Sequence, residues 1–185
     1  MKKLIETTTL PERPDRGQDV YGSLVRAIVG QQLSGKAAAT IYGRFLTLFE
    51  QQVPHPDLVL ACTPEELRAV GLSGQKAGYI QNVARYFLEG HFSKDYWSTR
   101  SDAEIIRELT AIKGVGEWTV QMLLMFTLRR PDVFPINDLV IRRRAAEVLR
   151  VSGATKREMS KNLLVASEVW APYRTVACLY LWASA

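Results

Sequence analysis

The sequence is poor in cysteine and histidine, and this limits the chemistry that it can carry. Its two cysteines, Cys62 and Cys178, lie far apart and form no CxxC pair. This spacing argues against a disulfide scaffold, a four-cysteine metal site and an iron–sulfur cluster, and favours buried free thiols in a reducing compartment. The two histidines, His55 and His91, fall in separate predicted loops. A metal enzyme, one alternative function, is therefore poorly supported.

Long apolar runs are also missing. No run of apolar residues is long enough to span a bilayer, which takes roughly 18 of them. The first 19 residues contain two lysines but no apolar core of signal-peptide length. These absences predict an intracellular, soluble protein with no membrane partner.

The overall composition suits a globular domain with a basic surface. The chain has 185 residues, of which 47% are hydrophobic, enough for one domain or for two small lobes that share a cleft. The net charge is +5 and the pI is about 9.3. A moderate basic excess favours a polyanionic partner, but charge alone does not decide whether the protein binds nucleic acid.

Apolar residues at helical spacing predict an all-α protein with about nine helices. Polar residues 1–19 are predicted to form an N-terminal arm, and residues 20–185 a single domain. Pro54 and Pro56 predict a loop. The helix starts are marked by three capping boxes, at Thr63–Glu66, Ser101–Glu104 and Thr155–Glu158, and the helix after the third box is predicted to continue to Trp170.

Two glycines one residue apart interrupt a helical pattern in the stretch "LTAIKGVGEWTVQMLLMF", residues 109–126. Gly114 and Gly116 permit a tight turn with positive φ. They also expose backbone N–H groups at the start of the next helix, which together with the helix dipole make an anion site. A plain αα-hairpin with a glycine C-cap fits this fragment equally well.

Asp138 lies in the segment "PINDL", directly before a predicted helix. Aspartate at this place is most simply a helix N-cap. Only the combination with the preceding hairpin gives it another interpretation.

Helix, GVG turn and helix, followed by "RPDVFPINDLVIRR", resemble the HhH-GPD DNA glycosylase superfamily, and most closely its 3-methyladenine DNA glycosylase II group, the AlkA and Mag type. The resemblance covers the chain from about residue 20 onward. Other stretches that carry it are "AIVGQQLSGKAAATIYGRF" (27–45), "GLSGQKAGYIQNVA" (71–84) and "VWAPYRTVACLYLW" (169–182).

The resemblance implies two helical lobes around a cleft, with a helix-hairpin-helix over residues 101–128. It also implies a monofunctional DNA glycosylase that excises alkylated bases such as 3-methyladenine and 7-methylguanine in base excision repair. Asp138 is then the catalytic carboxylate, which stabilises the positive charge that develops on the deoxyribose as the base departs.

Trp118 separates this chain from the bifunctional members of the superfamily. Those members carry a nucleophilic lysine two positions after the second hairpin glycine, where this chain has Trp118. No Schiff base is therefore expected, and the product is predicted to be an intact strand with an abasic site. The missing cysteine cluster is a second difference from endonuclease III and MutY.

A base pocket is implied by the same resemblance, because a base must leave the stack before it is cut from its sugar. Aromatic side chains suit a cationic alkylated purine through stacking and cation–π attraction. The predicted pocket residues are Trp118, Met122, Trp182 and Tyr21. Met122 stands where the AlkA type has tyrosine, which keeps hypoxanthine and ethenoadenine open as alternative substrates. Tryptophans in apolar helices are otherwise core residues.

Loops that match DNA-contacting segments complete the prediction. Gln32 is expected to fill the space left by the flipped nucleotide. Of the three adjacent arginines Arg142, Arg143 and Arg144, only one is expected to contact a phosphate, because the three cannot share one helix face. The predicted DNA-binding residues are Gln31, Gln32, Ser34, Ser73, Lys76, Lys113, Gly114, Val115, Gly116 and Arg142.

The partner implied is double-stranded DNA with alkylated bases, bound by a monomer in the cytoplasm of a prokaryote, at its nucleoid, or in a eukaryotic nucleus. No cofactor is expected beyond Na⁺ or K⁺ held by the backbone carbonyls of Thr110, Ile112 and Val115, an assignment implied by the resemblance alone. A non-catalytic helix-hairpin-helix module is the alternative of another class, and it predicts salt-sensitive DNA binding without base release.

Overall fold

The computed structural model describes residues 1–10, 19–93 and 95–184. These residues are helical and include no strand, which confirms the predicted all-α class. Two short 3-10 helices occur among them, at Glu50–Gln52 and Ser167–Trp170. The α-helices of the described residues are α1 (Lys2–Thr7), α2 (Val20–Gly30), α3 (Gly35–Leu46), α4 (Pro56–Ala61), α5 (Pro64–Ala69), α6 (Gly74–Glu89), α7 (Asp102–Thr110), α8 (Glu117–Phe126), α9 (Leu139–Leu149), α10 (Lys156–Ala166) and α11 (Arg174–Ala183).

The chain divides into two compact units. Unit 1 consists of Met1–Gly17 and Leu124–Ala185, and unit 2 consists of Gln18–Leu123. The boundary on the chain falls within α8. Residues 11–18 of the predicted arm lie outside the described residues, so the predicted arm and domain limits stay a prediction.

Unit 2 is built around α6. This helix packs against α2, α4 and α5, and α2 packs against α3. The apolar stripes predicted from the sequence are buried as expected, including Leu24, Val25 and Ile28 of α2 and Ile80 and Val83 of α6. Each such side chain contributes about 1.5–3 kcal/mol on burial, so these stripes fix the relative placement of the loops at the helix ends.

Unit 1 packs α9 against α10 and α11. Ile141 of α9, Leu163 of α10 and Leu181 of α11 are fully buried in it. Cys178 is a buried free thiol, and burial raises its pKa above the ordinary value. Cys62 of unit 2 is also free but only half-buried, so the predicted buried free thiol is confirmed for Cys178 and not for Cys62.

Three segments differ from the sequence prediction. Helix α1 forms inside the predicted arm, and α4 begins at Pro56, where a loop was predicted. The helix predicted to continue to Trp170 ends at Ala166 and passes into a 3-10 turn, in which the Ser167 hydroxyl donates to the Leu164 carbonyl at 2.8 Å. Among the described residues, no helix has the length and apolar character needed to cross a membrane.

Candidate functional site

Asp138 caps the N-terminus of α9. Its Oδ1 accepts a hydrogen bond from the backbone N–H of Ile141 at 2.9 Å, and its own backbone N–H donates to the Pro135 carbonyl at 2.9 Å. The side chain therefore sits at the positive end of the dipole of α9. The N-cap interpretation is confirmed. The catalytic role is compatible with it and stays a prediction.

Trp182 contacts the same carboxylate from α11. Its indole N–H donates to Asp138 Oδ1 at 3.3 Å, and its ring stacks on Phe126 with centroids 6.0 Å apart. Asp138 thus receives one donor from its own helix and one from the last helix of the chain. Sequence reasoning placed Trp182 in the base pocket and missed this hydrogen bond, although a half-buried indole N–H needs an acceptor.

A latch of polar groups joins the segment before Asp138 to the start of α11. Arg174 binds both carboxylate oxygens of Asp132, with Nε and Nη2 each at 2.8 Å. The Thr175 hydroxyl accepts from the Val133 N–H at 3.0 Å and donates to the Arg130 carbonyl at 2.8 Å. The hydrogen bonds from Arg174 hold the pKa of Asp132 below its usual value. This segment leads to Asp138, and α11 carries Trp182. The latch therefore holds together the two elements that bear these residues.

The glycine turn in unit 2 links α7 to α8. Gly114 has φ +105°, and a Cβ on it would lie 2.2 Å from Cγ of Tyr79. The turn closes with a hydrogen bond from the Val115 N–H to the Ile112 carbonyl at 3.0 Å. Gly116 differs, because a Cβ built on it meets nothing within 4 Å. Gly114 is therefore needed for the turn, whereas Gly116 faces open space at the start of α8.

Side chains from α6 and from the loop after α2 bind this turn. The Gln31 amide donates to the Gly114 carbonyl at 3.2 Å, and the Asn82 amide donates to the Lys113 carbonyl at 3.2 Å. The Lys76 ammonium donates to the carbonyls of Val29 at 2.8 Å and Gln31 at 2.7 Å. Burial lowers the pKa of Lys76. Three separate predicted DNA-contacting segments are thus joined within unit 2.

Gly30 to Leu33 form a type II turn. The Leu33 N–H donates to the Gly30 carbonyl at 3.2 Å, and Gln31 has φ −52° and ψ 130°. Gln32 occupies the third position with φ +59°, which usually belongs to glycine or asparagine. The exposed Gln32 side chain is therefore held in a left-handed backbone conformation.

Comparison with known proteins assigns the chain to a family. Residues 25–168 match the model of the HhH-GPD superfamily base excision DNA repair proteins. The chain belongs to the HhH-GPD superfamily. It is 37% identical over 174 residues to the DNA-3-methyladenine glycosylase 1 of Schizosaccharomyces pombe, an alignment that covers 93% of this chain and 75% of that protein.

Solved structures agree with the HhH-GPD assignment. The S. pombe 3-methyladenine DNA glycosylase Mag1, in complex with abasic DNA, superposes with a TM-score of 0.82 at 35% identity, over 98% of this chain and 88% of that one. The DNA-3-methyladenine glycosidase of Bacillus halodurans gives a TM-score of 0.81 at 37% identity, over 98% of this chain and 82% of that one.

The HhH-GPD turn carbonyls that were predicted to hold a cation are partly engaged. The Ile112 carbonyl accepts the Val115 N–H that closes the turn. The roles of Thr110, Ile112 and Val115 as ligands of Na⁺ or K⁺ stay a prediction. Among the described residues, no cluster of three or more histidine, cysteine, aspartate or glutamate side chains can bind a metal.

The remaining predicted DNA contacts of this HhH-GPD chain have local structural roles as well. Ser34 caps α3 and Ser73 caps α6, each through its hydroxyl. Arg144 pairs with Glu147 and donates to the Ser184 hydroxyl at 3.1 Å. Arg142, one turn after Asp138, is half-buried, and its contact with a phosphate stays a prediction.

The predicted pocket residues are divided between the units. Trp118 is 46% exposed, which argues against a core role, and Met122 is half-buried four residues later. Tyr21 packs against Phe87 with ring centroids 5.5 Å apart, and its buried hydroxyl has no hydrogen-bond partner among the described residues. These three belong to unit 2, whereas Trp182 belongs to unit 1. Their meeting in one base pocket stays a prediction.

Proposed function

We propose that the protein is a monofunctional DNA glycosylase that releases alkylated bases such as 3-methyladenine and 7-methylguanine and leaves an abasic site, as a step of base excision repair. The observation that carries the proposal is the carboxylate of Asp138, which two N–H donors hold at the start of α9. It stands in a chain of the HhH-GPD superfamily with relatives that are DNA-3-methyladenine glycosylases.

The chemistry that such a carboxylate performs is electrostatic. As the base departs, positive charge develops on the deoxyribose, and a negative charge already fixed beside it stabilises the transition state without reorganisation. The N–H groups of Ile141 and Trp182 fix the orientation of the carboxylate before the DNA arrives. The same group orients the attacking water. Alkylated purines leave readily because they are cationic, so little general-acid assistance is required.

Double-stranded DNA is the partner proposed, and a monomer is sufficient to bind it. The relative Mag1 has been solved with abasic DNA, and this supports the assignment. In the present chain the N–H groups at the start of α8, beside the open face of Gly116, are proposed to hold one backbone phosphate together with Lys113. Such a contact fixes the register of the DNA without reading its sequence.

The substitution Asp138→Asn tests the proposal. Asparagine caps helices as well as aspartate does, and its carbonyl oxygen can accept the same two N–H groups, so the fold is expected to persist. The loss of the charge is expected to lower the single-turnover rate of base release by at least about 100-fold. The measurement is chromatography of free 3-methyladenine and 7-methylguanine released from methylated duplex DNA.

Asp19→Asn is the matched control. Asp19 caps α2 by accepting the Gly22 N–H at 2.9 Å, so the same chemical change is made at another helix start. Its rate should equal that of the unmodified protein. Full activity of Asp138→Asn would place catalysis on another residue. DNA binding without any release by the unmodified protein would favour another lesion, such as hypoxanthine or ethenoadenine, or a non-catalytic module.

A further inference from the structure

Lys76 does not have the geometry of a phosphate-binding lysine. Its ammonium lies 2.8 Å from the Val29 carbonyl and 2.7 Å from the Gln31 carbonyl, so two of its three protons are committed to the protein. These carbonyls stand at the C-terminal end of α2, where the helix dipole favours a cation. The side chain is also half-buried. The Lys76 ammonium therefore binds the carbonyls at the C-terminal end of α2 and is not directed into solvent.

Gln31 is also engaged in hydrogen bonds within the protein. Its backbone carbonyl accepts from Lys76, while its side-chain amide donates to the Gly114 carbonyl at 3.2 Å. The residue thus lies between α6 on one side and the glycine turn on the other. An amide nitrogen used in this way is occupied before any DNA binds.

The residue that these bonds leave exposed is Gln32. It is the third residue of the type II turn and has φ +59°. A left-handed conformation costs a residue with a Cβ roughly 1–2 kcal/mol, and such strain persists only where the surroundings determine it. The hydrogen bonds of Lys76 and Gln31 are the surroundings that do so here.

We propose that Lys76 and Gln31 are positioning residues that hold the turn at residues 30–33 against the glycine turn, so that Gln32 is presented to the DNA, and that neither Lys76 nor the Gln31 amide contacts a phosphate. This inference rests on the proposed function, because it assumes that this surface binds DNA. It replaces a direct role in binding with an indirect one, and the two roles have different signatures.

The salt dependence of binding distinguishes them. Each phosphate-bound lysine contributes about 0.9 to the slope of log affinity against log salt concentration. Lys76→Met is expected to lower affinity about 5- to 20-fold at every salt concentration and to leave the slope unchanged within roughly 0.3, because it removes positioning and no phosphate contact. The probe is a fluorescent duplex with one tetrahydrofuran abasic-site analogue, titrated between low and physiological salt.

Lys113→Met is the comparison variant, because Lys113 is exposed in the glycine turn and is proposed to meet phosphate. Its slope should fall by about 0.9. An equal fall for Lys76→Met would overturn the inference. Failure of the unmodified protein to bind the duplex would instead refute the proposed function, so the two failures are distinguishable.

A double-mutant cycle provides a second test, which does not depend on the folding of Lys76→Met. If Gln31 acts by placing Gln32, the loss from Gln32→Ala should shrink when Gln31 is already methionine. We expect the double variant to bind within about twofold of Gln31→Met alone. Affinity losses that multiply fully would show that the two side chains act independently and would overturn the inference.

Discussion

At the scale of single residues, Gln32 is one of the described non-glycine residues with positive φ, together with Gln51, Gln52, Arg129 and Arg150. Glycine would adopt φ +59° without a steric penalty, yet the sequence places a long amide there. Gln32 differs from the other residues with positive φ because it lies in a segment that is predicted to contact DNA, and this motivates the hypothesis that its side chain has a function there. The amide length and its hydrogen-bonding groups match the predicted task of filling the gap left by a flipped nucleotide.

Gln32→Gly should separate stability from activity. Relief of the left-handed strain is expected to offset the extra entropy of glycine in the unfolded chain, leaving the free energy of unfolding unchanged or higher by up to about 1 kcal/mol. Loss of the side chain should lower lesion binding and base release about tenfold or more. Thermal unfolding and single-turnover release measure the two effects.

Gln32→Ala removes the same side chain but keeps the strain, and so serves as the control. It should lose activity to the same extent as Gln32→Gly without the gain in stability. Activity retained by both variants would mean that the Gln32 side chain has no role at the DNA.

What the sequence reveals at this scale depends on distance along the chain. The N-cap role of Asp138 was predictable because its hydrogen-bond partner, Ile141, is three residues away. The Trp182 donor lies 44 residues away, and only the packing of α11 on α9 brings it to the carboxylate. The latch between Asp132 and Arg174, 42 residues apart, was missed for the same reason.

At the scale of elements, the glycine turn assigns different tasks to its two glycines. Gly114 is required by its positive φ and by the close approach of Tyr79. Gly116 has neither constraint, and its lack of a side chain leaves the start of α8 open. The spacing of one residue between them therefore combines a structural glycine with one that permits a ligand to approach.

Gly114→Ala and Gly116→Ala form a matched pair. The first forces a Cβ to within 2.2 Å of the Tyr79 ring, and we expect it to lower the free energy of unfolding by about 2–4 kcal/mol. The second should change stability by less than about 1 kcal/mol, yet weaken binding of the abasic-analogue duplex, because its methyl group enters the phosphate site. Urea unfolding and duplex titration measure the two effects. Equal changes in the free energy of unfolding and in duplex affinity for the two variants would contradict the different roles assigned to Gly114 and Gly116.

Element prediction succeeded where the signals are local. The capping boxes at Thr63 and Ser101 form with both reciprocal hydrogen bonds, and the helices after them begin where expected. At Thr155 only half of the box forms, because the Glu158 carboxylate accepts from Ala154 N–H instead. Helix α4 was missed because Pro56 was interpreted as a loop residue, although proline is well suited to the first position of a helix.

At the scale of the whole molecule, hydrogen-bonded carboxylates make stability depend on pH. The pKa of Asp132 is lowered first by the Arg174 hydrogen bond, and the pKa values of Glu66 and Glu104 are lowered by their capping boxes. A carboxyl with a depressed folded-state pKa stabilises the protein above its unfolded pKa, about 3.9 for aspartate. That stabilisation is lost as the pH falls through the folded value. Stability should therefore fall on the acid side, with Asp132 contributing more than the exposed Glu66 and Glu104.

Asp132→Asn tests this at one group. At pH 7 the variant should be less stable by about 1–3 kcal/mol, because the half-buried Arg174 loses its bidentate charged partner and keeps only the ion pair with the exposed Glu168. The difference should shrink as the pH falls from about 4, where the carboxyl protonates in the unfolded chain, through the lower folded-state pKa of Asp132, where it becomes neutral in the folded protein as well. Thermal unfolding across this range is the measurement. If the difference in stability stays constant down to pH 3, the lower stability of the variant results from the changed side-chain shape rather than from the lost charge.

The two thiols have a consequence under the proposed function, in which the substrates arise by methylation. The reagents that methylate bases also attack cysteine, and the thiolate is the form that reacts. Burial raises the pKa of both Cys62 and Cys178, so each holds less thiolate at neutral pH than a cysteine free in solution. The chain contains no other cysteine. Under the proposed function, the low thiolate content of both cysteines is expected to slow inactivation of the protein by the methylating agents that produce its substrates.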